Sequence, residues 1–164
     1  MQEIKQLRDL KLPTWEEIPN EGIYMTEVIN FLGRSIKPLF IGDENPISQS
    51  MINNYVKLSY IKEPINKKYY RESLAQIIAI GLFKQVMSIE EISKGVSIEI
   101  ETFGIKEVYD NFVDIFTKSK EAVLKQGDNI SINFISKDHH DKVLYFLTLS
   151  LFTKLYTRIT LKNR

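Results

Sequence analysis

The sequence predicts an all-α, mainly helical protein, and three observations predict it. Apolar residues recur at i, i+3, i+4 and i+7 through most of the chain, which is the period of one helix face. Ser and Thr residues stand just ahead of these runs, twice with glutamate three places on, the signature of a capped helix start. The strand-like alternation at residues 97–101 (SIEIE) is too short to build on.

Residues 1–23 are expected to form an N-terminal arm. Within it, Thr14-Trp15-Glu16-Glu17 fits a capping box that Pro19 then stops, and Trp15 reads as a hydrophobic anchor. From Tyr24 onward, with Thr26 as the expected cap, Val28, Phe31, Leu32, Ser35, Ile36 and Leu39 mark an amphipathic helix. Pro38 should bend or end it near Ile36. A loop with Gly42, Asp43, Asn45 and Pro46 follows.

The next helix should run from Ser48 to Lys57, with Ile52, Tyr55 and Val56 inward and Ser50, Asn53, Asn54 and Lys57 outward. Pro64 and Asn66 punctuate residues 62–70, where a small hairpin fits. Arg71 to about Met87 is apolar on most sides and should be central. Ser88 and Glu91 form a second capping box, opening a short helix that Gly95 is expected to close. A long stripe from Ile105 to Val123 follows, ended by Gly127-Asp128-Asn129. A last helix from Asp138 to Ile159, capped by Ser136, carries Val143, Phe146, Leu147, Leu151, Leu155 and Ile159 as its expected core face.

At 164 residues the chain has the size of one domain, and a fold of this length buries roughly 68–70% of its unfolded surface. Cysteine is absent, so disulfides and Cys-ligated zinc are excluded and a reducing cytoplasm is the expected setting. The N-terminus alternates charged and apolar residues, unlike a secretory signal. Val143 to Phe152 is half a membrane span at most and is expected to be a buried helix, so no membrane partner is expected. The net charge is only +1, but residues 47–71 carry Lys57, Lys62, Lys67, Lys68 and Arg71 against Glu63 alone. That basic island matters more than the sum.

LPTWEEIP, SMINNYVK, KKYYRESLA and FKQVMSIEEI together make nearly the whole chain resemble an uncharacterised bacterial family, catalogued as domain of unknown function 1836. Residues 47–92 also resemble a winged helix-turn-helix of the MerR type, which reads V-S-x-x-x-L-x-x-Y-x-x-x-G-L-[LI] across its recognition helix and exit. Ile47, Ser48, Ile52, Tyr55, Tyr60 and Ile61 fall on that pattern, with Ser59 where the family prefers glycine. Lys67, Tyr69 and Leu74 follow the family's post-wing spacing, and Met87-Ser88-Ile89-Glu90-Glu91-Ile92 its closing motif, with Val86 replacing a glycine. Three departures stand beside the match. About ten residues separate the first two helices, Asn54-Tyr55 replaces paired aromatics, and the short wing lacks its usual Gly and Arg.

The resemblance implies duplex DNA as partner, read through residues 48–57 and a basic wing at 62–71. Physical chemistry gives the side chains plausible tasks. An Asn amide can accept from and donate to adenine N6 and N7 at once, and Asn53 and Asn54 project neighbouring amides, flanked by Ser48, Ser50 and Lys57. Lys67, Lys68, Tyr69 and Arg71 are the expected phosphate contacts that set register. The bland alternative is that Asn and Lys merely solvate a surface helix.

No enzyme is expected. His139 and His140 are adjacent, which puts them on different helix faces, and no Gly-rich phosphate loop or nucleophile elbow is present. No metal or other cofactor is expected. The aromatics Tyr109, Phe112, Phe116, Phe134, Tyr145, Phe146, Phe152 and Tyr156 could line an effector pocket, with core packing the favoured use. The reading is therefore an arm (1–23), a MerR-like winged helix-turn-helix domain with a minor wing hairpin (24–96) and a C-terminal helical bundle (97–164) that dimerises. Its function would be a cytoplasmic transcriptional regulator. The rival is a helical protein-interaction or adaptor module that keeps the fold without DNA binding. Operator and effector are not legible.

Overall fold

In the computed structural model, residues 2–41, 47–125, 132, 135, 136 and 138–163 are described. They form a mainly helical protein with one two-stranded antiparallel sheet. In order the elements are α1 (Gln2–Asp9), β1 (Ile23–Tyr24), α2 (Met25–Ile36), α3 (Gln49–Lys57), β2 (Lys68–Tyr69), α4 (Arg71–Phe83), α5 (Ile89–Phe103), α6 (Ile105–Leu124) and α7 (His139–Lys162).

Local chemistry sets most of the starts. The Thr14–Glu17 box forms in both directions, at 2.8 and 3.3 Å, yet caps only a turn before Pro19. Helix α2 is capped at Tyr24, two residues before the expected Thr26, because Glu27 reaches back to the Tyr24 N–H at 2.9 Å. Pro38 ends it at Ile36 as expected, and a 3₁₀ turn (Lys37–Leu39) follows. Ser88 accepts from the Glu91 N–H at 3.3 Å, and Glu91 returns to the Ser88 N–H at 3.2 Å. The cap of α7 is Asp138 rather than Ser136, its Oδ1 accepting the Asp141 N–H at 2.9 Å. The expected turns at 42–46 and 127–129 lie outside the described residues.

Packing adds one element that the sequence reading lacked and corrects three expectations. The arm contains a helix, α1, whose Leu7 is fully buried; Lys120 of α6 donates to the Leu10 carbonyl, while Lys162 and Asn163 at the end of α7 hold Glu3. Helix α4 stops at Phe83, where Val86 and Met87 turn back onto the Phe83 carbonyl. Helix α5 passes through Gly95 and absorbs residues 97–101, ending only at Phe103. Gly104 closes it with φ 83° and ψ 148°, a conformation open essentially to glycine alone. Finally, Val143 and Phe146 are each 53% exposed. The expected Leu151, Leu155 and Ile159 are buried, and Tyr145, Thr148 and Phe152 complete the core face of α7.

The core is nearly continuous. Leu12, Trp15 and Ile18 of the arm, Leu32 and Ile52 of the middle segment, and Phe116 and Phe152 of the C-terminal helices belong to one buried cluster. Helix α4 runs through its centre, with Leu74, Ile77, Ile78, Ile80 and Leu82 wholly buried. Helices α6 and α7 are a closely packed pair. Asn111 bonds Asp141 at 2.9 Å, and Ser119 shares a buried hydrogen bond with Thr148 farther along both helices. Both contacts advance together, so the two helices run in the same direction.

Candidate nucleic-acid interface

Helix α3 is built as its sequence dictates. Ser48 caps it by accepting the Met51 N–H at 3.3 Å, and its hydroxyl also meets that of Ser50 at 2.9 Å. Ile52 and Tyr55 are buried, Val56 is half-buried, and Ser50, Asn53, Asn54 and Lys57 are exposed. The start of the helix is seated on α4. A Cβ on Gly81 would lie 2.3 Å from Ile47 Cδ1, so a larger residue there would push the Ile47 side chain aside.

The exit of α3 is a Schellman turn. Tyr60 N–H reaches the Tyr55 carbonyl and Ser59 N–H the Val56 carbonyl, both at 2.9 Å, with Ser59 in the left-handed region at φ 58°. Beyond it, Ser73 Oγ donates to the Lys62 carbonyl and Gln76 accepts the Lys62 N–H at 2.9 Å, fixing the chain to α4.

Between Ile65 and Lys68 the chain makes a two-residue hairpin turn. Ile65 and Lys68 exchange hydrogen bonds of 3.0 and 2.9 Å, and Asn66 and Lys67 take φ of 49° and 66°. Positive φ at both central residues defines a type I′ turn, whose twist suits a hairpin. Its second strand, β2, pairs with β1 through Ile23↔Tyr69 and Tyr24↔Lys68. The small hairpin expected at 62–70 is therefore present, and its return strand is tied to the residues just ahead of α2.

The nine expected contact residues divide. Ser50, Asn53, Asn54, Lys57 and Lys67 are exposed; Ser48 is a half-buried cap. The Lys68 ammonium lies 5.2 Å from the centre of the Tyr24 ring, a partner that periodicity gave no means of seeing. Tyr69 is only 4% exposed, and burial pushes its phenol pKa up; it is part of the core rather than a phosphate contact. Arg71 is also withdrawn. Its Nε donates to the Ile18 carbonyl at 3.0 Å, and its guanidinium sits over Trp15. Lys62 of the basic island pairs with Glu72.

Of the aromatics weighed as a pocket, Phe116, Tyr145 and Phe152 are core, Phe146 and Tyr156 are exposed, and Phe134 lies outside the described residues. Tyr109 and Phe112 line a cleft. His140 meets Glu99 and lies edge-on to Phe103. Among the described residues no group of three or more His, Cys, Asp or Glu is placed to hold a metal ion. None of the helices described is long and apolar enough to cross a membrane.

These features define a mainly helical protein in which a capped surface helix and a tight hairpin are mounted on a buried central helix. Residues 13–112 match the family described as Domain of unknown function (DUF1836), and the chain belongs to that family. No curated protein and no solved structure gives a significant match.

Proposed function

We propose that the protein is a cytoplasmic DNA-binding protein, a transcriptional regulator of the MerR-like winged helix-turn-helix class, reading duplex DNA with α3. The observation that carries the reading is the division of α3 into two faces. Ile52 and Tyr55 anchor it in the core while Asn53 and Asn54 stand exposed together, flanked by Ser50 and Lys57. Two adjacent amides on a rigid helix suit adenine edges in the major groove. The order β1, α2, α3, hairpin, α4, with β1 paired to the hairpin, supports a winged helix-turn-helix arrangement, with Lys67 at the wing tip and Lys68 behind it for phosphates.

A dimer reading two half-sites fits the exposed apolar residues of α7. The adaptor reading has one observation in its favour: Lys62, Lys68 and Arg71, three of the five cations in the basic island, are engaged within the chain.

The test is binding to duplex DNA by fluorescence anisotropy across a salt series. Lys57, Lys67 and Lys68 would supply about three phosphate contacts, giving log K against log salt a slope of roughly −2.7 per protomer. Lys67→Ala should flatten the slope by about one unit on every sequence. Asn53→Ala or Asn54→Ala should cost about 1–3 kcal/mol on a duplex chosen from a random library, with non-specific binding nearly intact. A folded sample that binds no duplex at low salt would transfer the case to the adaptor reading.

A further inference from the structure

Helix α2 turns Val28, Leu32 and Ile36 into the core. On its other side Thr26, Asn30, Arg34 and the following Lys37 are exposed. At about 100° per residue these four fall within an arc of roughly 80°, and no carboxylate shares it. Glu27, at the edge of the arc, is turned back to the Tyr24 N–H, about two helical turns from Arg34. Neither Arg34 nor Lys37 forms an ion pair or a side-chain hydrogen bond with any described residue. In this they differ from Lys62 and Arg71.

The stripe ends beside α3. A Cβ on Gly81 of α4 would lie 3.7 Å from Ile36 Cδ1 as well as 2.3 Å from Ile47 Cδ1. The last turn of α2 and the residue ahead of the Ser48 cap therefore meet over one point of the central helix. Arg34 and Lys37 flank Ile36 in sequence, so the two free cations stand next to the start of α3.

We propose that α2 carries the backbone of one DNA strand, with Arg34 and Lys37 each on a phosphate while α3 enters the adjacent major groove. The inference rests on the DNA reading and adds two contacts that lie outside the basic island. Residues three apart on a helix have Cβ atoms about 5–6 Å apart, and side chains of this length reach neighbouring phosphates from there. A first helix crossing the backbone while the second reads bases is the general docking of helix-turn-helix proteins. An acidic polypeptide would satisfy the two charges but offers no groove to the amides of α3.

The experiment is the anisotropy salt series on duplex DNA with the full chain. Five phosphate contacts in place of three give a slope of roughly −4.5 per protomer instead of −2.7. Between about 50 and 200 mM salt the wild type should then lose about 500-fold in affinity, and the double variant Arg34→Ala, Lys37→Ala about 40-fold. The double variant should weaken every sequence alike and keep the wild-type urea midpoint, since both side chains are exposed. Arg34→Lys retains the charge and should retain the slope, as should Lys94→Ala, which removes an exposed cation from α5. A wild-type slope near −2.7 that the double variant leaves unmoved would overturn this inference and spare the DNA reading. Equal flattening by Lys94→Ala, or poly-L-glutamate binding as tight as duplex, would also overturn it. A folded sample that binds no duplex at low salt would remove both together.

Discussion

The Arg71 guanidinium carbon lies 5.6 Å from the centre of the Trp15 ring while Nε and Nη2 donate to the carbonyls of Ile18 and Glu16, at 3.0 and 3.5 Å. This cation clamps the N-terminal arm to the first turn of α4. Arg71→Ala should therefore destabilise the protein by about 1–2 kcal/mol, from a charged hydrogen bond and a partly exposed cation–π contact. Trp15, the only tryptophan, should report the change in its fluorescence. If Arg71 were instead a phosphate contact, the variant would keep wild-type denaturation and show a flatter salt slope on DNA.

Ser59 holds a left-handed φ of 58° at the exit of α3, a conformation that costs a non-glycine residue about 1–2 kcal/mol. Ser59→Gly should stabilise the fold by up to about 1 kcal/mol once the added freedom of the unfolded chain is deducted. Gly104→Ala should do the reverse, costing about 1–3 kcal/mol at its positive φ. Urea denaturation of the two variants should move the midpoint in opposite directions. A shift of both in the same direction would show that these turns are not held as described.

Alkaline stability should report on Tyr109. Its hydroxyl donates to the Pro13 carbonyl at 2.8 Å. Burial first, then the nearby Asp110 and Glu17 charges, holds its pKa above the ordinary phenol value. In the unfolded chain the phenol ionises near pH 10, so its contribution is intact below that pH and falls as pH rises toward the folded value. The loss can reach about 1.4 kcal/mol per pH unit. Tyr109→Phe should cost about 1 kcal/mol at neutral pH for the lost hydrogen bond, yet decline less steeply above pH 10. Parallel declines for the two proteins would remove Tyr109 as a source.

Phe146 stands 53% exposed on α7, beside an equally exposed Val143. If this face pairs two protomers, sedimentation should give a dimer at micromolar concentration and Phe146→Lys should give a monomer. Its thermal midpoint at low concentration should change little, because an exposed side chain contributes little to the protomer's own core. A strict monomer in the wild type would remove the symmetric-operator idea.

Helix α3 was legible because its determinants are local. Ser48 caps its own helix three residues on, and the i, i+3 spacing of Ile52 and Tyr55 needs only one apolar side to bury. The same holds for the Ser88 box and for the stop that Pro38 imposes at Ile36. Where the local signal was ambiguous, the reading failed at the same place. Gly95 and the alternation at 97–101 suggested an end to α5, yet a single glycine costs a helix only about 1 kcal/mol, and packing of α5 on α4 and α6 carries it on to Gly104.

Sequence alone determined the mainly helical class, the start and two faces of α3, and the hairpin that follows it, because each rests on spacing within a few residues. Tertiary structure decided the rest. It chose which side of the broadly apolar α7 is buried, since the positions of α6, α4 and α1 distinguish Tyr145 and Phe152 from Val143 and Phe146. It withdrew Arg71 from the basic island by bringing up Ile18, 53 positions away along the chain. It also gathered carboxylates from α5, α6 and α7 around one cleft. Periodicity says that a side chain has an inside and an outside, but what meets it is set by segments far apart in the chain.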